Sequence, residues 1–84
     1  MGHGIIKLIT KIEKEFSFNA PVQRWERVIT VKDVYNLVWE SVGEKLTDKN
    51  DMTERINNIL IYQIGCEPAE ISPEKMLTVD LGLD

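Results

Sequence analysis

Ile5-Ile6-Lys7-Leu8-Ile9-Thr10-Lys11-Ile12-Glu13-Lys14-Glu15-Phe16 returns an apolar side chain at Ile5, Leu8, Ile9, Ile12 and Phe16. This is the three-and-four spacing that lines one face of a helix. Lys7, Lys11, Glu13, Lys14 and Glu15 occupy the opposite face. The segment is therefore predicted as an amphipathic helix of about three turns.

Working outward, Ser17 to Ala20 breaks the pattern, and Pro21 opens a short helical segment from Val22 to Arg27, because proline suits a first turn but not a helix interior. Thr30 is the N-cap expected for a second long helix, Val31 to Lys45, whose stripe is Val31, Val34, Tyr35, Val38, Val42 and Leu46. Thr47 to Asn50 is polar and reads as a connecting loop. Asp51 with Glu54 resembles a capping box for a third long helix, Thr53 to Ile64, with Ile56, Ile59, Leu60 and Ile64 inward and Gly65 ending it. Cys66 to Asp84 carries Pro68, Pro73 and Gly82 among isolated apolar residues and reads as a long structured loop, tucked onto the core by Leu77, Leu81 and Leu83. No repeat and no alternating strand pattern is present. The expectation is one all-α domain over residues 1–84, a bundle of three longer helices and one short one.

With 84 residues and 43% hydrophobic content, the chain suffices for one core and not two. No segment reaches the roughly 18 apolar residues of a membrane span. Met1-Gly2-His3-Gly4 does not read as the start of a signal peptide, so a cytoplasmic location is expected. The lone Cys66 and lone His3 make no ligand cluster, so no metal is expected. A net charge of −4 argues against nucleic acid, whose binding rests on phosphate neutralisation. It favours a positively charged protein surface as partner.

Ile64-Gly65-Cys66-Glu67-Pro68-Ala69-Glu70-Ile71-Ser72-Pro73-Glu74, followed by Asp80-Leu81-Gly82-Leu83-Asp84, resembles the first loop of acyl carrier proteins. In that family the Asp-Leu-Gly-x-Asp motif leads into the serine that carries phosphopantetheine. Ile5 to Phe16 resembles the family's second helix, down to its Ile12-Glu13-Lys14-Glu15-Phe16 ending. Ala20-Pro21-Val22-Gln23-Arg24-Trp25-Glu26-Arg27-Val28-Ile29-Thr30-Val31-Lys32-Asp33-Val34 resembles its short third helix and the start of its last. The order is rotated, as in a circular permutant, with Thr47 to Asp51 as the linker between the ancestral ends. Met52 stands where an unpermuted carrier would begin, and reads equally as a former initiating methionine or an ordinary internal one. The rotation predicts that Asp84 lies within about 15 Å of Gly4, a few residues of extended chain, within one chain or across a domain-swapped dimer.

The resemblance implies carriage of acyl intermediates on phosphopantetheine, as in fatty acid or polyketide synthesis. It also locates a gap. Counting from Asp84 into the N-terminal segment places Gly2 at the attachment position, and Ser17, Ser41 and Ser72 match no such motif. No attachment residue is assigned and no prosthetic group is expected in this form. Asp80 and Asp84 either contact partners or, the favoured reading, structure the loop. The family's acidic second helix is replaced by Lys7, Lys11 and Lys14 against Glu13 and Glu15, which puts recognition by ordinary carrier-dependent enzymes in doubt. That basic face is either a solvated helix surface or the contact of a specialised partner. Trp25 and Trp39 either anchor a partner or, as favoured, complete the core. Cys66 reads as a packing residue, since no neighbouring base would depress its thiol pKa.

The leading functional reading is a carrier-type domain that cannot hold the group as it stands, and the alternative is a helical protein-interaction module. An enzyme ranks last, because one His, one Cys and scattered carboxylates assemble no nucleophile, base and oxyanion set.

Overall fold

The computed structural model describes residues 2–46 and 48–83. Among these described residues four α-helices follow in order, α1 (His3–Phe16), α2 (Val22–Glu26), α3 (Val31–Val42) and α4 (Lys49–Ile64), with 3-10 turns at Gly43–Lys45 and Pro68–Glu70. Among the described residues there is no strand, and the one β-bridge pairs Thr30 with Met76. The all-α expectation holds for these residues.

One core is built from all the longer helices and the C-terminal loop. Leu8 and Ile12 of α1, Val31, Val34 and Val38 of α3, and Met52, Ile56 and Leu60 of α4 are all but fully enclosed. Leu77, Leu81 and Leu83 join the same cluster from the loop. The expected tuck of that loop is therefore present. α4 packs against both α1 and α3.

Helix ends follow local chemistry. Thr30 Oγ1 accepts from the Asp33 amide while the Asp33 carboxylate accepts from the Thr30 and Ile29 amides, a capping box with one extra bond. Ser17 and Gly65 close α1 and α4 in the left-handed conformation, at φ 54° and 80°.

The start of α4 corrects two expectations. Lys49, Asn50 and Asp51 belong to its first turn, so they are helical rather than a loop, and the cap is Asp48, which accepts from the Asn50 amide at 2.8 Å, rather than an Asp51 and Glu54 box. The reason lies in Met52, which begins the buried i, i+4 series Met52, Ile56, Leu60 and carries the helix one turn further back. The connection from the 3-10 turn is correspondingly short. Thr47 of the expected linker, and Asp84 of the expected Asp84 to Gly4 proximity, lie outside the described residues.

Candidate functional site

The residues after α4 form a platform against the start of α3. The Val31 amide donates to the Lys75 carbonyl at 3.0 Å, the Lys32 amide to the Pro73 carbonyl at 2.9 Å, and the Leu77 amide to the Ile29 carbonyl at 2.9 Å. Two of these bonds satisfy first-turn amides that a helix cannot satisfy internally. Beyond the platform the chain makes one irregular helical turn. The Asp80 carboxylate accepts from the Met76 amide at 2.7 Å, and the Gly82 amide donates to the Thr78 carbonyl at 3.1 Å. Gly82 lies at φ 75° with open space around it, so its glycine serves the backbone conformation rather than a close contact. Leu81 and Leu83 point into the core. In the Asp80-Leu81-Gly82-Leu83 segment, each described residue thus has a loop-building task.

Gly2 is the N-cap of α1, extended at φ −71° and ψ 162°, with no side chain to cap the helix. No hydroxyl is offered there. Ser17 sits at the far end of α1, Ser41 donates to the Leu37 carbonyl inside α3, and Ser72 lies in the loop, where its carbonyl accepts from the Lys75 amide. His3 is exposed in the first turn of α1.

Lys7, Lys11 and Lys14 are exposed on the outer face of α1, and none forms an ion pair among the described residues. Lys11 Nζ sits 4.2 Å from the ring centroid of Tyr62 on α4, within cation–π range. Tyr62 is 79% exposed and Ile6 51%. Ile6, Lys7, Thr10, Lys11, Tyr62 and Gln63 line an open groove of about 460 Å³ between the two helices. A second hollow continues from it, sharing Lys11 and Tyr62 and bounded by Arg55 and Ile59. Arg55 is held there, with Nη2 2.7 Å from Glu15 Oε2 and its guanidinium carbon 4.4 Å from the Phe16 ring centroid. Lys14 lies apart, beside a hollow with Glu13 and Phe18. Tyr62 was not singled out from the sequence. Its place on the polar face of α4 is visible there, but the adjacency of α4 to α1 is not.

Trp25 is 4% exposed. Its Nε1 donates to Glu13 Oε2 at 3.2 Å, and the same oxygen accepts from the Ala20 amide at 2.9 Å, so one carboxylate fastens α2 and its leading loop to α1. This placement removes Trp25 from the accessible surface and gives it the packing reading. Trp39 is half-buried, its ring 3.0 Å from the point a Cβ on Gly43 would occupy. Cys66 is half-buried, and burial followed by the Glu70 and Glu67 carboxylates raises its thiol pKa above the usual 9.0. The thiol form is favoured at neutral pH.

Among the described residues no group of His, Cys, Asp and Glu could hold a metal ion, and no helix is long and apolar enough to cross a membrane. Comparison with protein-family models, with curated proteins and with solved structures finds no match.

Proposed function

We propose that these residues form an acyl-carrier-type domain with its segments in rotated order, which holds no phosphopantetheine as it stands and acts through protein partners. The observation that supports this is the shared core of the two sequence ends. The Leu81 and Leu83 side chains, from the motif that in carriers precedes the attachment helix, enter the same cluster as Leu8 and Ile12, from the segment that resembles that helix. The capped start of α3 and the loop bound to it fit the same arrangement. Gly2 at the N-cap of α1 supplies no acceptor hydroxyl, and the three serines lie elsewhere.

Incubation with a phosphopantetheinyl transferase and coenzyme A, followed by intact-mass measurement, tests the unloaded state. The expected mass is unchanged. Addition of the group to Ser17, Ser41 or Ser72 would overturn it.

The second reading, a helical interaction module unrelated to carriers, is favoured by one feature, the basic and aromatic groove between α1 and α4, which carrier descent does not require.

A further inference from the structure

We infer that the groove between α1 and α4 is a docking surface for a carboxylate-bearing, partly apolar protein segment. This deepens the protein-partner element of the reading above and is independent of its carrier element, so the two can fail separately.

The surface combines three features. Tyr62 leaves most of its ring in solvent although 16 hydrophobic side chains among the described residues are buried, and Ile6 stands exposed on the neighbouring helix across the groove. Aromatic side chains of this kind carry contact area at low entropic cost and dominate many protein interfaces. Next, Lys11 is anchored over the Tyr62 ring at 4.2 Å, which holds its ammonium at the groove and leaves it no carboxylate partner among the described residues. Lys7, one turn away, adds a second cation on the same wall. Finally, the adjoining cation is neutralised, since Arg55 is paired to Glu15 and Asp51. Along the groove itself, the cations without an ion pair among the described residues are thus Lys7 and Lys11, beside the exposed ring.

That pattern selects the occupant. Two lysines separated by one helical turn beside Tyr62 and Ile6 suit carboxylates spaced along a segment that also presents apolar side chains. An anionic membrane would be drawn to a broader basic surface than this, and the chain's net charge of −4 opposes it.

The test uses isotope-labelled protein and a short helical peptide of Glu, Leu and Phe, an identical peptide with Gln for each Glu, and phosphatidylserine vesicles. The Glu peptide should shift the amide signals of Ile6, Lys7, Lys11 and Tyr62 and bind about tenfold more tightly than the Gln peptide at low salt, with the advantage fading as salt rises. K7E/K11E should abolish that preference, and Tyr62→Ala should weaken both peptides while leaving the helical circular dichroism unchanged. Equal binding of the two peptides, shifts clustered elsewhere, or tighter binding to vesicles than to the Glu peptide would overturn the inference. So would self-association of the protein alone that K7E/K11E removes, because the occupant would then be a second copy.

Discussion

The Val31 amide donates to the carbonyl oxygen of Lys75 at 3.0 Å, joining the first turn of α3 to a loop more than forty residues away in sequence. The amide would otherwise face water or go unsatisfied. The bond also fixes the direction of the loop, so that Leu77, two residues on, enters the core while its own amide returns to Ile29. Helix capping and docking of the motif-bearing loop are thereby one structural event.

Removing the side-chain half of that cap should be felt throughout. Thr30→Ala deletes the side-chain acceptor of the Asp33 amide, leaving it only the Thr30 carbonyl, and is expected to cost about 1 kcal/mol in urea unfolding. Thr30→Ser should recover most of it. No difference between the two variants would show that the hydroxyl contributes nothing.

Asp33 makes the cap pH-dependent. Hydrogen bonds from the Thr30 and Ile29 backbone amides hold its carboxyl below the usual 3.8, the Thr30 bond contributing most and partial burial opposing them. A depressed folded pKa stabilises above the unfolded value and is lost as pH falls through the folded one. The stability gap between the wild type and Asp33→Asn should stay constant from neutral pH to about 5 and narrow below about 4. A gap that widens on acidification would contradict this.

Gly82→Ala forces a Cβ into φ 75°, in open space. The cost is conformational, about 1 kcal/mol. Gly82→Asn should be milder, because asparagine tolerates the left-handed region. Equal melting temperatures for Ala and Asn would point to a contact rather than to backbone conformation.

Glu13→Ala strands two donors, Trp25 Nε1 and the Ala20 amide, and should cost about 1–3 kcal/mol. On a Trp25→Phe background one of those donors is already gone, so the same change should cost less. Strict additivity in the double-mutant cycle would show that the bond is not coupled to stability.

The last turn of α1 and the start of α3 were legible because the apolar stripe and the Thr30 cap are local signals, whereas α1 begins at His3 rather than Ile5 and α3 gives way after Val42 to a 3-10 turn over Gly43–Lys45 instead of running on to Lys45. The start of α4 was not, since Asp48 and Asp51 both have cap chemistry and the choice depends on Met52 being buried against neighbouring helices. The leucines of the last loop announced burial, yet the Thr30 to Met76 bridge is a pairing across the chain that no local pattern encodes. At the surface, the lysine stripe could be read from Ile5 to Phe16, whereas Tyr62 acquires meaning only once α4 lies beside α1. Trp25 belongs to the core because Glu13 receives its indole N–H, a contact between separate elements.

The rotated-carrier account is tested most directly by undoing the rotation. A chain running from Met52 to Asp84, then a serine, then His3 to Leu46, should give a proton–nitrogen spectrum of a folded protein with core contacts among Leu8, Ile12, Val34, Ile56 and Leu83 retained, because the same segments would meet in the same core. A collapsed or aggregated species lacking those contacts would contradict the account.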